Sequence, residues 1–430
     1  MRPRRISQSA RRRLALAALA LITLVGAVVT AVATASTATS NALPPAQVLN
    51  YQLYAGGKGK ANPKLAPITI GFINGQGGPP NFNFPQATHV IEAEVKMINA
   101  ELGGVHGHPV KLNECFWAQA EEEGVRCGQQ MVNDKRTMAI LYGFVTVGNQ
   151  SIYATVKGTK PIVGVVTANA ADPTAKNTFF LNGSQTSVLG PFGTYTKRYL
   201  PKVKTTAVVY PTDPGAETAA QALKKGMEQI GVKVTMIGVP PLATDLLGAA
   251  TQASSSDMII AALGFTTCVP FARAIDQINY SKPVLSTPIC TFLPRAAYAT
   301  GDIPKWTYGI AQTLVNLPGP QSKLYLKKGI QYGATVNDLL WVFAEGAWEQ
   351  LLATVKIMNA MPYARISPAT ITAGFKAFRG PLVLGPPEIA CGKVVPAEPA
   401  ACGNQTQFYN YTGQGKWKVA TGWLKPPGAK

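Results

Sequence analysis

From Ile68 to Leu102 the chain reads ITIGFINGQGGPPNFNFPQATHVIEAEVKMINAEL. Its first six residues, 68–73, form a short apolar run of the kind that a fully buried β-strand shows. Apolar residues then recur at helical spacing, at Ala87, Ile91, Val95, Ile98 and Leu102. The two glycines after Leu102 are typical of a helix end. The stretch therefore predicts a buried strand, a loop and a covering helix over 85–102.

The same alternation of strand and helix continues to residue 286. We predict further strands at 110–116, 138–144, 161–166, 206–210, 232–237, 258–263 and 284–286. Between them we predict helices at 118–133, 148–157, 184–200, 216–230, 245–253 and 269–278. Strands that alternate with helices build parallel sheets covered on both faces, and two such series predict an α/β protein of two doubly wound lobes. Because ligands bind at the carboxyl ends of such strands, we expect the binding site in a cleft between the lobes.

The pattern changes after Thr307. One long helix is predicted over 335–359, with an apolar stripe at Leu340, Phe343, Ala347, Leu351, Val355 and Met358. The tail from Gly380 is rich in proline and glycine, and it ends in strand-like pieces at 408–411 and 417–419. These features predict a separate closing segment after the two βα series.

The N-terminus has the pattern of an export signal. Arginine-rich residues precede an apolar run from Leu14 to Ala33, and Ala-x-Ala patterns end at Ala33 and Ala35. We therefore predict a secretory signal peptide over 1–35, with the twin-arginine route suggested by Arg11-Arg12. The apolar run is long, so an uncleaved membrane anchor is the alternative. Residues 36–65 are rich in small residues, proline and lysine, and they are predicted to be a linker.

Composition excludes several classes of protein. The chain has 430 residues, 47% of them hydrophobic, which predicts more than one folded domain and excludes general disorder. Its net charge is +19, but six of the 40 basic residues lie before residue 40, so 34 basic residues face 21 acidic ones in the body. These basic residues are scattered, without a basic stripe or interleaved aromatic residues. We therefore interpret them as a solvated surface and not as a nucleic-acid site.

The cysteine count points to disulfides in an exported chain. There are six cysteines, which allow 15 pairings. Short loops favour Cys115–Cys127, Cys268–Cys290 and Cys391–Cys402. No Cys-x-x-Cys motif supports metal binding, and His106 and His108 lie in a predicted glycine-rich turn, so we expect neither a metal nor a cofactor.

Motifs for catalysis are weak. The glycines of Gly75 to Gly78 run into Pro79-Pro80 and not into a helix, which argues against a dinucleotide site. No Gly-x-Ser-x-Gly nucleophile motif occurs, and no pair of carboxylates stands in a recognisable catalytic setting. A hydrolase is therefore the less favoured alternative, and we predict a protein that is not an enzyme.

Several segments together resemble a known family. Residues 70–78, the segment 98–112 with its "INAELGGVHG", the cysteine pair 115 and 127, and the tail from Cys391 to Trp423 carry the likeness. They resemble the type I periplasmic binding proteins, specifically the branched-chain amino-acid receptors (leucine-binding protein-like) of ABC transporters, in the form found in actinobacteria. One extra residue stands before the paired glycines in 98–112. The order and spacing of these pieces cover most of the chain.

The resemblance implies two lobes joined by three hinge crossovers. Lobe one is expected at 66–183 plus 311–380, and lobe two at 184–310 plus 381–430. The hinges would lie near Gly183, Ala311 and Gly380, and the lobes would close on a ligand. The implied partners are a small-molecule ligand and the permease of an ABC importer.

The resemblance also implies where lobe one would hold the ligand. The family's loop after the third strand matches Thr146, Val147, Gly148 and Asn149 here, and Ser151 falls in the following helix. Its amides open a helix and are suited to a ligand carboxylate. The next family contact matches Thr167, Ala168 and Asn169. In the loop after the first strand, Gln76 faces the ligand, and Phe82 and Phe84 are candidates to cover its apolar part.

Lobe two departs from the family pattern. Asp213, Phe265, Thr266 and Cys290 fall at the ligand-facing strand ends, but the loop around Cys290 lacks the acid that usually pairs with the ligand's ammonium. Because a buried ammonium without a partner is costly, the expected ligand is a polar or carboxylate-bearing molecule and not necessarily an amino acid. Asp213 would supply the charge only if it were not a turn residue. An envelope sensing or interaction module without a transporter remains the alternative function.

Overall fold

The computed structural model describes residues 48–78, 83–118, 120–292 and 305–429. The predicted signal peptide and the first part of the predicted linker lie outside these residues, as does Phe82. The elements named below are those of the described residues.

A five-stranded parallel sheet forms the first lobe. Its order is β2-β1-β3-β4-β5, from β1 (Ile68–Gly75), β2 (Val110–Trp117), β3 (Thr137–Tyr142), β4 (Ile162–Val166) and β5 (Thr178–Gly183). A helix follows each of the first three strands: α2 (Pro85–Glu101), α3 (Glu123–Asn133) and α4 (Asn149–Val156). Alternating side chains of the strands enter two apolar clusters, with Ile70 and Phe72 on one face and Ile73 on the other.

A seven-stranded sheet forms the second lobe, in the order β12-β11-β10-β9-β8-β6-β7. Its strands are β6 (Thr205–Pro211), β7 (Lys233–Val239), β8 (Met258–Ala261), β9 (Val284–Ser286), β10 (Thr307–Ile310), β11 (Gln407–Gly413) and β12 (Lys416–Val419). Its helices are α5 (Gln185–Leu189), α6 (Pro191–Tyr199), α7 (Pro214–Glu228), α8 (Leu247–Ala253) and α9 (Cys268–Gln277). Only β11 pairs with its neighbours in the antiparallel sense. The two sheets confirm the predicted pair of doubly wound lobes.

The chain returns to the first lobe after β10. Helices α10 (Pro320–Gln331), α11 (Val336–Leu339), α12 (Ala344–Asn359) and α13 (Pro368–Ala377) follow, and α12 lies fully buried in the first-lobe core. The prediction of one long helix over 335–359 is therefore wrong, because residues 340–343 separate two helices. The helix predicted over 184–200 is likewise divided at Pro191, whose ring begins α6.

Part of the predicted linker is folded. Residues 51–55 form helix α1, and Tyr51 and Tyr54 are buried in the first-lobe core. The Tyr54 hydroxyl donates to the carbonyl of Pro381 at 3.0 Å, and Lys356 Nζ donates to the carbonyl of Tyr54 at 3.0 Å. Two aromatic residues one turn apart give this short helix enough apolar surface to bury.

The third crossover also differs from the predicted boundary at residue 380. Residues from Leu382 to Cys402 contribute to the first-lobe core, and Ala401 forms a bridge to Phe180 of the edge strand β5. The chain passes to the second lobe after this segment, near Asn404, which bridges to Gly183. The pairing of Ala401 with the free edge of β5 keeps the tail in lobe one for longer than its composition indicates.

The three predicted disulfides are confirmed. Cys115 pairs with Cys127, Cys268 with Cys290, and Cys391 with Cys402. The second of these joins the loops that follow β8 and β9, and both of its cysteines are fully buried.

The cleft between the lobes as a candidate ligand site

The carboxyl ends of the strands of both sheets meet at the cleft. A close approach across it is seen at Gly215, the second residue of α7, where an added Cβ would lie 3.0 Å from the carbonyl oxygen of Ala168 in lobe one. Beside it, the amide of Gln185 donates to Thr167 Oγ1 at 2.9 Å. The predicted ligand loops of the two lobes are therefore brought together.

Aromatic rings from both lobes fill the middle of this region. We call them the cleft rings: Phe84, Phe144, Trp341 and Phe343 from lobe one, and Phe265 and Phe292 from lobe two. The centroid of the Phe265 ring lies 6.0 Å from that of Phe84 and 6.2 Å from that of Trp341, to which it is nearly parallel. Within lobe one, Phe84 packs edge-on against Phe144 at 4.6 Å. Aromatic contacts of this geometry span the interface between the lobes.

A buried asparagine positions two of the cleft rings. Asn74 lies in the apolar strand β1 and is fully buried. Its Nδ2 donates to the carbonyl of Phe84 at 2.8 Å, and its Oδ1 accepts from the amide of Phe144 at 2.9 Å. The side chain thus joins the loops that carry both rings. Asn74 is not among the residues predicted from the sequence, and the signal that could have indicated it is an asparagine within an otherwise apolar buried strand.

The break between α11 and α12 places the other two lobe-one rings. Phe343 has a φ of 78°, in the left-handed region that residues other than glycine rarely adopt. That conformation costs about 1 kcal/mol or more. It lets Phe343 stack on Phe144 at 4.8 Å while Trp341 lies 5.4 Å from Phe84. The local strain is offset by this ring packing.

The loop after β3 contains the first predicted carboxylate site. Gly148 precedes α4 and its amide donates to Glu121 Oε2 at 2.7 Å, while the amide of Ser151 donates to Glu121 Oε1 at 2.9 Å. Two of the amides expected to hold a ligand carboxylate thus bind a carboxylate of the chain itself. Glu121 is not among the residues predicted from the sequence.

The loop after β4 is organised in the same way. The amides of Ala168 and Asn169 donate to Asp172 Oδ2 at 2.6 and 3.0 Å. Asp172 Oδ1 accepts from Tyr153 Oη and from Nδ2 of Asn149. Burial raises the pKa of Asp172, although these hydrogen bonds oppose the shift. Asp172 therefore joins the loop that carries Thr167 to the loop that carries Thr146.

The remaining predicted residues occupy varied positions. Asp213 caps α7, because its Oδ1 accepts from the amide of Ala216 at 2.9 Å. Thr266 Oγ1 donates to the carbonyl of Pro241, and Gln76 Oε1 accepts from Thr88 Oγ1. Cys290 is buried in its disulfide and lies in the same short segment, Pro288–Phe292, as Phe292. Of the predicted lobe-two residues, Phe265 alone belongs to the cleft rings.

The described residues contain no group of three or more histidine, cysteine, aspartate or glutamate side chains that could hold a metal ion. In the same part of the chain, no helix combines the length and apolar character needed to cross a membrane.

Comparison with known proteins identifies the family. A family model described as "Periplasmic binding protein" matches residues 67–392, which is most of the chain. No curated protein matches the chain by sequence. This match confirms the resemblance to the periplasmic binding proteins.

Solved structures share the fold. A solute-binding protein of an ABC transporter from Rhodopseudomonas palustris, solved with p-hydroxybenzoic acid, is 16% identical with a TM-score of 0.68, and the match covers 84% of this chain and 97% of that one. A leucine-binding protein from Thermotoga maritima is 10% identical with a TM-score of 0.64, over 84% and 99% of the two chains. A substrate-binding protein from Desulfitobacterium hafniense, solved with leucine, is 12% identical with a TM-score of 0.63, over 82% and 99%.

These likenesses show the fold, and the family model covers the whole first sheet and five of the seven strands of the second. The family is one of solute-binding proteins and not a class of enzymes. With two doubly wound lobes, three crossovers and a family match over residues 67–392, the chain belongs to the periplasmic binding proteins.

Proposed function

We propose that this protein captures a small ligand with a flat, apolar body between its lobes and delivers it to an ABC-type importer. The observation that carries the proposal is the contact of Phe265 in lobe two with Phe84 and Trp341 in lobe one. In this proposal the rings of the two lobes move apart to admit one flat ligand and then cover its opposite faces.

Closure of the lobes explains how such a site would retain its ligand. A ring held between aromatic side chains loses its water on both faces, and burial of apolar surface contributes about 25 cal/mol per Å². In an open form only one lobe would cover the ligand. The ligand therefore favours the closed form by binding it more tightly, as population shift requires.

The ligands of the structural neighbours support a ligand with an apolar part. The neighbour from Rhodopseudomonas palustris was solved with a ring acid, and that from Desulfitobacterium hafniense with leucine. Both molecules combine a polar head with an apolar body. The cleft rings are the feature of this chain that is suited to such a body.

We place the polar head of the ligand beside the loops that follow β3 and β4. Asn169 Nδ2 approaches the carbonyl of Thr146 at 3.5 Å, so these two loops lie side by side. Thr146, Val147 and Thr167 are our candidates for contact with the head, with Gln76 at its margin. Asp213 and Cys290 are assigned supporting roles, because one caps a helix and the other is in a disulfide.

Isothermal titration of the exported protein with a panel of ring compounds and amino acids tests this proposal. A ligand present at about 100 times its dissociation constant also adds about 2.7 kcal/mol of stability, so thermal shift is a suitable first screen. Phe265→Ala is expected to weaken binding at least tenfold without loss of the fold, since the ring is only partly buried. Tyr363→Ala, which removes an exposed ring stacked on His108, is the matched control. Equal binding by the two variants would contradict the proposal.

Export and transport partner form a separate part of the proposal. Family membership makes this an exported protein, and we propose cleavage of the signal peptide after Ala33 or Ala35. The intact mass of the native protein measures this directly, since a retained segment would indicate a membrane anchor. Co-purification with a permease would distinguish the importer role from a sensing module.

A further inference from the structure

We infer that the cleft selects an uncharged ring compound that carries a hydrogen-bond donor, such as an aryl amide or a phenol. This inference rests on the proposed function, because it assumes that a ligand binds between the cleft rings. It concerns the charge of the ligand, which the ring contacts alone do not determine.

Internal carboxylates already accept hydrogen bonds from the amides that an anionic ligand would need. Glu121 accepts from two amides at the start of α4, and Asp172 accepts from two more in the loop after β4. A ligand carboxylate at either loop would have to displace one of these groups or lie beside it. Two carboxylates so close together repel each other, strongly at the buried Asp172 and less at the exposed Glu121, where water screens the charges.

The paired cations of the described residues are bound to groups other than the cleft rings. Among the described residues, the two cation–π contacts involve Tyr199 and Tyr54, neither of which is a cleft ring. The four ion pairs of the same residues join His89 to Asp338, Arg136 to Asp134, Lys224 to Glu228 and Lys328 to Glu101. None of these pairs includes a cleft ring or a residue of the loops after β3 and β4. Among the described residues, therefore, no ion pair or cation–π contact places a cation beside these rings and loops to offset the water that an enclosed ligand carboxylate would lose.

A ligand ammonium is disfavoured for a related reason. Asp213, the acid expected to pair with it, uses its carboxylate to cap α7. The Asp172 carboxylate accepts hydrogen bonds from four donors and is deeply buried. Because an enclosed ammonium needs acceptor positions as well as an opposite charge, and Asp172 already accepts four hydrogen bonds, a neutral ligand has the lower desolvation cost.

Two oxygen atoms of the chain indicate where the ligand should donate a hydrogen bond. Two buried oxygens near the cleft lack hydrogen-bond partners, Oδ1 of Asn149 and Oε1 of Gln185. Gln185 lies where the lobes meet, since its amide bonds to Thr167 and its Nε2 donates to the carbonyl of Gly215 at 3.3 Å. Both unpartnered atoms are acceptors. A ligand N–H or O–H would satisfy one of them, whereas a carboxylate has no proton to offer.

Three ligands of nearly the same shape test the inference: benzamide, acetophenone and benzoate, titrated into the exported protein at pH 7.5. Benzamide is neutral and donates, acetophenone is neutral without a donor, and benzoate is an anion. We expect benzamide to bind about tenfold more tightly than acetophenone, and benzoate to bind most weakly. Gln185→Leu should remove the preference for benzamide and leave acetophenone binding within about twofold.

The outcomes separate this inference from the proposed function. If benzoate binds more tightly than benzamide and Phe265→Ala weakens it, the inference is overturned while ring capture stands. If acetophenone equals benzamide in the unaltered protein, the donor is not recognised and the inference is again overturned. If none of the three binds, and other ring compounds also fail, the proposed ring capture is itself contradicted.

Discussion

Two groups of carboxyl side chains in the first lobe differ in their surroundings. At the cleft, Glu121 and Asp172 each accept hydrogen bonds from two backbone amides. In the interior, Glu94 and Glu349 are fully buried, and neither carboxyl oxygen of either residue has a hydrogen bond of good geometry. The same functional group therefore fixes loops in one region and lies in an apolar environment in the other.

Burial disfavours the charged form of the interior acids. Burial raises the pKa of Glu94 and Glu349 well above the usual range, and it raises the pKa of Glu345 to about 8. Tyr51 and Tyr54 of helix α1 pack in the same core as α12, which carries Glu345 and Glu349. The comparison shows that hydrogen-bond donors oppose the effect of burial on the pKa of Asp172, whereas the buried carboxyl oxygens of Glu94 and Glu349 lack such donors of good geometry. In our proposal the cleft group disfavours anionic ligands, whereas the interior group makes the stability of the lobe sensitive to pH.

The largest expected effect comes from removing the best-connected cleft carboxylate. Asp172→Ala would leave the Asn149 amide, the Tyr153 hydroxyl and two loop amides without their acceptor. We expect a loss of about 3–5 kcal/mol in the free energy of unfolding, measured by urea denaturation. Asp134→Ala is the control, because Asp134 pairs with the exposed Arg136 and its loss should cost no more than about 1 kcal/mol. Similar losses in both variants would contradict the role of Asp172 in joining the two cleft loops.

The next effect comes from uncovering the interior group. Tyr54→Ala in α1 removes a buried ring and its hydrogen bond to Pro381. We expect a loss of about 3 kcal/mol, because the cavity admits water to the buried acids and favours their ionisation. Leu53→Ala in the same helix is the matched control, since Leu53 is 81% exposed. If Tyr54→Ala were as mild as this control, α1 would not be a structural part of the lobe.

A smaller and pH-dependent effect is expected at Glu345. Its pKa in the folded protein, about 8, exceeds its ordinary value near 4.5, so the folded state binds more protons between these two pH values. Stability contributed by the neutral acid is therefore complete below about pH 4.5 and declines as the pH rises toward 8. Glu345→Gln should remove this decline, and it should stabilise the protein by roughly 1–3 kcal/mol at pH 8.5 but little at pH 5.

Melting temperatures across pH 5 to 8.5 measure this effect. Glu228→Gln, at an exposed position of α7, serves as the control and should shift stability equally at all these pH values. A flat pH profile in the unaltered protein would mean that Glu345 is not a neutral buried acid.

Much of the fold could be predicted from local sequence, because apolar runs and helical stripes reflect burial directly. The strand at 68–73 and the helix at 85–102 are such cases, and both are present. The break before Phe343 could not be predicted, since Leu340, Phe343 and Ala347 continue a helical stripe and nothing in the residue type signals a positive φ. Tertiary packing of the rings overrides local propensity there.

The candidate site was predictable only in outline. Phe265 and Phe84 could be proposed because strand ends face the cleft, but Trp341 reaches it from a distant part of the chain. Glu121 belongs to a run of three glutamates that is typical of a solvated helix start. Its bonds to Gly148 and Ser151 depend on the packing of α3 against α4, where an added Cβ at Gly124 would lie 2.3 Å from the carbonyl of Gly148. Such long-range contacts have no local sequence signal.

The smallest effect on stability, and the closest test of the cleft carboxylates, is expected from Glu121→Ala. Glu121 is exposed, so its removal should cost no more than about 1 kcal/mol. It would, however, leave the amides of Gly148 and Ser151 without their internal carboxylate. Benzoate should then bind several-fold more tightly while benzamide binds as before, a change that titration calorimetry resolves.

Glu122→Ala removes a neighbouring exposed charge whose side chain makes no capping hydrogen bond, and it should leave both affinities unchanged. A general reduction in negative charge would affect the two variants equally, because both lose one acid near the same helix. A gain confined to Glu121→Ala would therefore show that the chain's own carboxylate competes with the ligand's for the same amides. No gain in either variant would mean that these amides face away from the ligand, and the exclusion of anions would then rest on Asp172 and the cleft rings alone.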